Sequence, residues 1–303
     1  MTKNHSILFK HLGWITLLLI FETFASGQEI ARPPISGFSH VSFYTTQADA
    51  AKNFYVNLLG MSPARQSGSY LVGRQRVTVI PENPPNPPSL LANIGFATTD
   101  VEAMRKYLEA HHVQVPPAVQ KDSNGTRWFE VNDPEGNHIR FEQVTGKRPK
   151  TRDPLSSQLI HVGFMVHDRS AEDAFYREIL GFRPYWFGGR TDDRVDWVAL
   201  QVPEGHEWIE YMLTDKDAQM TPERLGVLNH FSLGVTDMKE TAKQLEARGW
   251  TSNSRSHMQM GRDGKWQLNV YDPDGTRVEF MEFTPTQTPC CSPFTAPHPS
   301  ANN

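Results

Sequence analysis

The chain has 303 residues, 38% of them hydrophobic and 21% charged, with a formal net charge of -4 at pH 7. That composition suits a globular protein with a real core, and the length allows two ordinary domains or one composite domain. There is no basic surplus with which to hold a polyanion, so nucleic acid is excluded as an expected partner.

The N-terminal residues read differently from the rest. Lys3 and Lys10 precede an apolar run from Leu12 to Phe21, and the small residues Ala25-Ser26-Gly27 follow. This order predicts a secretory signal peptide over residues 1–27. The run is shorter than the ~20 apolar residues of a spanning helix, so cleavage is preferred over an uncleaved membrane anchor, the alternative. A secreted or periplasmic protein is expected, without stable membrane association once the signal is removed.

Past the signal, the chain repeats itself. Ser39-His40-Val41-Ser42-Phe43 parallels Ile160-His161-Val162-Gly163-Phe164; Phe-Tyr follows each His by 14 residues and Gly follows by 20. Asn93-Ile94-Gly95-Phe96 parallels His230-Phe231-Ser232-Leu233, and the turns Asp133-Pro134-Glu135-Gly136 and Asp272-Pro273-Asp274-Gly275 match likewise. Each unit opens with an alternating strand. The apolar spacing of Ala51, Phe54, Tyr55, Leu58 and Leu59 then predicts one face of a short helix. Gly60, Gly181 and Gly249 stand where helices stop. Further alternating strands follow, such as 194–201 and 208–213. The pattern predicts an α+β protein of four βαβββ units, grouped as modules over 36–145 and 159–284, with a polar linker over 146–158.

The segment 285–303 is rich in Pro, Thr and Ser, lacks apolar periodicity and is expected to be disordered. It carries the only cysteines, the adjacent Cys290 and Cys291, which rules out a disulfide framework in the modules.

Strand parity separates core from site, because successive side chains point to opposite faces. Val162, Phe164 and Val166 oppose His161; Phe231, Leu233 and Val235 oppose His230. Ile209, Tyr211 and Leu213 oppose Glu210, and Val278 and Phe280 oppose Glu279. Two imidazoles and two carboxylates therefore share the face away from the core. Burying two carboxylates there without a cation would be costly, so one divalent metal ion is expected on His161, Glu210, His230 and Glu279. The donor set suits Zn, Ni, Co, Mn or Fe(II), and the lack of thiolate argues against a closed structural zinc site.

In these positions the sequence resembles the vicinal oxygen chelate superfamily, which includes glyoxalases, bleomycin-resistance proteins and extradiol dioxygenases. The run His161, Trp208-Ile209-Glu210, Asn229-His230-Phe231 and Asp272-Pro273-Asp274-Gly275-Thr276-Arg277-Val278-Glu279 is most like glyoxalase I. The resemblance covers roughly residues 37 to 283 and implies two modules, each a curved mixed sheet forming a cup. The N-terminal module departs from it: Asn93, Thr78 and Arg140 stand where His230, Glu210 and Glu279 stand, and an Arg there would repel a cation. That module is expected to be structural, with His40 a relic of the ligand set.

The resemblance implies isomerase or lyase chemistry on a small vicinal-oxygen substrate through a metal-stabilised enediolate, with Glu210 or Glu279 as the catalytic base. Export argues against glutathione, a mainly cytosolic thiol, as cosubstrate. An Fe(II) extradiol dioxygenase is the alternative; it would use His161, His230 and Glu279, with His167, His206 or His257 as a basic residue near the metal. A non-catalytic binder of the bleomycin-resistance type is a third. Trp186, Phe187, Trp197 and Trp208 are candidate pocket or core aromatics. Two modules can pair within one chain, so a monomer is expected.

Overall fold

The structure, a computed structural model, describes residues 1–2, 30–82, 89–144 and 155–301. Residues 3–27 of the expected signal peptide and most of the linker therefore lie outside the described residues. Among the described residues no helix is long and apolar enough to cross a membrane.

The alternating stretches form strands. The first half contains β1 (Ile35–Tyr44), β2 (Ser62–Pro63), β3 (Ser69–Val72), β4 (Gln75–Ile80), β5 (Leu91–Thr98), β6 (Gln120–Lys121), β7 (Arg127–Asn132) and β8 (His138–Gln143), with helices α1 (Ala48–Asn53) and α2 (Val101–Ala110). The second half contains β9 (Leu159–Val166), β10 (Arg183–Gly188), β11 (Trp197–Gln201), β12 (Trp208–Leu213), β13 (His230–Val235), β14 (Met258–Met260), β15 (Trp266–Tyr271) and β16 (Arg277–Glu282), with α3 (Arg169–Asp173), α4 (Pro222–Leu228) and α5 (Met238–Ala247). The halves form two eight-stranded sheets, ordered β2-β3-β4-β1-β5-β8-β7-β6 and β10-β11-β12-β9-β13-β16-β15-β14. In every unit the first strand pairs in parallel with the last, and the paired units join through antiparallel β1–β5 and β9–β13 contacts. A parallel pair needs a crossover, which α1, α2, α3 and α5 supply. Two modules of the vicinal oxygen chelate type, α+β in class, are thus present.

The helix expected over 51–59 is split. α1 ends at Asn53 and a wider π-helical turn, Phe54–Leu58, completes it; Ala174–Ile179 does the same after α3. An α-helix keeps neighbouring residues on different faces. The wider turn buries both members of Phe54-Tyr55 and of Phe175-Tyr176, each pair edge to face at 5.1 and 5.0 Å. Gly60 and Gly181 close these turns at φ of +73° and +76°, a conformation that favours glycine. The strand expected from Arg194 begins only at Trp197, because Arg190 and Arg194 fold back onto the buried Asp196.

Residues 31–303 form one compact unit. The modules share a single apolar core, in which Phe43 meets Phe231 at 5.6 Å and Phe96 meets Phe182 at 5.3 Å. A smaller cluster on the concave face of the second sheet joins Ile160, Tyr185, Trp186, Trp208, Met281 and Phe283, with Phe294 packed against it.

Phe294 belongs to the segment expected to be disordered, and that expectation fails for residues 285–301. Thr286 and Gln287 N–H donate to Gly264 O, Trp186 Nε1 donates to Cys290 O, and Thr295 N donates to Tyr185 O. Ser292 Oγ accepts from Phe187 N and donates to its carbonyl. Cys290 and Cys291 are bonded to each other. The segment has no periodicity because it forms neither helix nor strand. Its order comes from the edge of β10 and the 261–265 turn, whose backbone groups it satisfies.

Candidate metal centre

The four middle strands of the second sheet, β12-β9-β13-β16, carry the four expected ligands. Glu210 on β12 and His230 on β13 lie opposite Gly163 of β9, one on each side. Glu279 on β16 lies opposite Ser232, which lies opposite His161. The His230 imidazole crosses Gly163 so closely that a Cβ there would collide with the ring. α4, N-capped by Thr221 with Pro222 in its first turn, delivers the chain to His230.

The donor atoms converge. His161 Nε2 lies 3.0 Å from His230 Nε2, 3.3 Å from Glu279 Oε2 and 3.9 Å from Glu210 Oε2; His230 Nε2 lies 3.5 Å from Glu210 Oε2. Donors about 2.1 Å from a common ion stand roughly 3.0 Å apart at a right angle and roughly 3.4 Å apart at the tetrahedral angle. The spacing of His161, Glu210 and His230 therefore fits a single divalent ion, with Glu279 beside it through its contact with His161. His230 Nδ1 donates to Leu228 O at 3.0 Å, which leaves Nε2 unprotonated and chemically able to act as a ligand.

The electrostatics point the same way. Burial, reinforced by the Arg277 charge, holds both imidazoles well below their usual range, so they are neutral. Burial also raises both carboxyls, Glu210 to about 8 with Glu279 adding to the rise, and Glu279 to about 7. A bound cation would reverse that penalty and keep both ionised.

A cavity of about 330 Å³ opens onto the two carboxylates, walled by Trp186, Trp197, Trp208 and Phe294. Phe187, in contrast, points outward and is 41% exposed. None of the three histidines named as possible basic neighbours lines this cavity. His167 Nδ1 pairs with Glu135, His257 is exposed, and the His206 carbonyl accepts from Gln201.

The basic groups beside the carboxylates are Arg277 and Lys265, which the sequence reading passed over. Arg277 Nη2 donates to His230 Nε2 at 2.7 Å. Lys265 is fully buried, its Nζ 4.7 Å from the centre of the Trp208 ring, and burial lowers its ammonium to about 8. The signal that could have found them was parity. Arg277 shares the face of Glu279, and Lys265 that of Gln267, which lines the cavity.

In the first sheet the register puts Thr78, Asn93 and Arg140 in the places of Glu210, His230 and Glu279. His40 Nε2 bonds to Asn93 Oδ1 at 2.9 Å, Arg140 pairs with Glu130, and the buried Glu142 is held by Arg76 and His40. Those contacts tie the side chains to one another rather than converging them on a common point.

Several solved structures share this architecture. A catechol 2,3-dioxygenase aligns with a TM-score of 0.62 at 15% identity, over 88% of this chain and 95% of its own. The Mn(II)-bound glyoxalase from Novosphingobium aromaticivorans aligns at 0.60 and 19% identity, over 82% and 83%. Homoprotocatechuate 2,3-dioxygenase from Brevibacterium fuscum, in complex with 3,4-dihydroxyphenylacetate, aligns at 0.62 and 16% identity, over 86% and 82%. At such identities the likeness is one of fold. No curated protein matches the chain in sequence. Residues 37–141 match one family and residues 160–267 another, both described as the Glyoxalase/Bleomycin resistance protein/Dioxygenase superfamily. With both modules matched, the chain belongs to the glyoxalase/bleomycin resistance/dioxygenase superfamily.

Proposed function

We propose that this chain is an exported, metal-dependent enzyme of glyoxalase type, acting as an isomerase or lyase on a small substrate with two adjacent oxygens. The observation that carries the reading is the convergence of His161, Glu210 and His230 within 3.0–3.9 Å, with Glu279 3.3 Å from His161 and both carboxylates facing the cavity. A divalent ion on these residues, whether Zn, Ni, Co, Mn or Fe(II), would polarise the substrate oxygens and acidify the adjoining C–H. Glu210 and Glu279 face the cavity, so a carboxylate released from the ion would stand beside the acidified C–H and take its proton.

Solvent exchange tests this directly. The metal-loaded protein is incubated in D₂O with α-hydroxy ketones and α-keto aldehydes, and the C–H beside the carbonyl is followed by NMR. Exchange in the wild type and its loss in Glu210→Gln with metal retained supports the reading. No exchange on any of these compounds, with metal bound, sinks it in favour of a binding protein.

One observation favours the second reading, the Fe(II) dioxygenase, with Glu210 in the place expected for Glu279. His161, His230 and the single carboxylate of Glu210 already form a group whose ligand atoms lie within 4.8 Å of one another. Two His and one carboxylate are also the ligand set of Fe(II) oxygenases. Oxygen uptake by the iron-loaded protein with catechols would select that reading.

A further inference from the structure

We propose that the site takes an anionic substrate, a small carboxylic acid with oxygen on the adjacent carbon, and that Arg277 selects it by holding the carboxylate. This rests on the metal-site reading above and names the substrate class for it.

Six charged side chains line the cavity: Arg190, Glu210, Arg262, Asp263, Arg277 and Glu279. Most have a charge partner. Arg190 lies 3.1 Å from Asp196, Arg262 pairs with Asp192, and Asp263 lies beside the buried Lys265. Glu210 and Glu279 belong to the ligand group. Arg277 differs: its charge acts on Glu279 and Glu210, yet among the described residues it forms no ion pair within 4.0 Å, and its buried Nε has no hydrogen-bond partner. Its one strong contact is the bond from Nη2 to His230 Nε2.

That bond and a metal ion compete for the same lone pair. His230 donates from Nδ1 to Leu228 O, so Nε2 is its only acceptor. When an ion takes Nε2, Arg277 loses its acceptor and keeps a permanent charge in a half-buried wall. The ion's two charges are balanced by Glu210 and Glu279, and Lys265 by Asp263; Arg190 and Arg194 share the single charge of Asp196, so the positive charge left beside the ligand carboxylates is that of Arg277. A planar guanidinium with free N–H groups matches a carboxylate in two parallel bonds. Lys265 adds to the positive field from behind the wall; its Nζ has no hydrogen-bond partner and lies among the rings of Trp208, Phe294 and Tyr185 at 4.7, 5.0 and 5.6 Å.

The test measures Mn(II) affinity of the full chain by chelator competition, alone, with glycolate, and with the neutral isostere glycolamide. In the wild type glycolate should raise the affinity about tenfold more than glycolamide does, the effect of one charge-assisted contact. Arg277→Gln should bind Mn(II) yet lose that discrimination, and Arg277→Lys should keep part of it. Equal discrimination in Arg277→Gln would mean that the metal alone binds the carboxylate and overturns the proposal, as would a wild type that does not distinguish the two ligands. Failure of the wild type to bind Mn(II) without ligand is a different result. It removes the metal-site reading itself, and the proposal with it.

Discussion

The Tyr55 hydroxyl donates to Oδ2 of Asp272 at 3.1 Å, and the two residues come from opposite modules. The repeat makes the same bond in reverse, from Tyr176 to Oδ2 of Asp133, also at 3.1 Å. Both tyrosines are fully buried, each delivered by a π-helical turn, and burial raises both Asp carboxyls to about 6. The two bonds are not equivalent. Asp133 Oδ2 also accepts from Asn137 Nδ2, whereas among the described residues Asp272 Oδ2 has Tyr55 alone. Tyr55→Phe should therefore destabilise the protein by about 1–3 kcal/mol. Tyr176→Phe should cost less, and urea denaturation of the two variants decides the order.

Glu172 gives the fold a pH dependence of defined sign. It is buried on α3, its Oε1 accepts from Glu135 N, and its Oε2 has no partner. Burial and the neighbouring Asp133 push its carboxyl up to about 9. The folded state thus holds a proton that the unfolded chain releases near the ordinary carboxylate pKa. Stability from this group is complete below about pH 4.5 and is lost as pH rises towards 9. Glu172→Gln should melt like the wild type near pH 5 and above it at pH 9, by a margin on the order of a few kcal/mol. Parallel melting curves at both pH values would contradict this.

Gly163 is required by the His230 ring, not by its own backbone. Gly163→Ala should displace the imidazole and lower metal affinity by about 10- to 100-fold. The far-ultraviolet circular dichroism should stay unchanged, because the convex core is untouched. Retained affinity would show that His230 is not a ligand.

Much of this was legible because of repetition. Parity and the matched units put His161, Glu210, His230 and Glu279 on one face, since a strand's alternation survives folding. Arg277 and Lys265 share that parity, but His138 stands in the place of Arg277 and Thr126 in that of Lys265, so the repeat does not mark them. His167 was misread because its role is set by Glu135, from the other module, which no local pattern reveals. The 285–301 segment was misread for a related reason. Phe294 is a single aromatic in a Pro- and Thr-rich run, and its burial depends on Tyr185 and Trp186 about a hundred residues earlier.

The packing of that segment is itself testable. In the wild type residues 285–301 should resist limited proteolysis, while Phe294→Ala should release them and shift the emission of Trp186 and Trp208 to the red. Rapid cleavage of the wild-type segment would contradict its place in the cavity wall.

The central claim is the four-residue metal site. It is tested most directly by the metal content of the purified protein after chelation and reconstitution, by plasma mass spectrometry, in the wild type, His161→Ala and Glu279→Ala. The account predicts about one divalent ion per chain in the wild type and a large loss in both variants without loss of fold. Equal metal content in all three, or none in the reconstituted wild type, would contradict it.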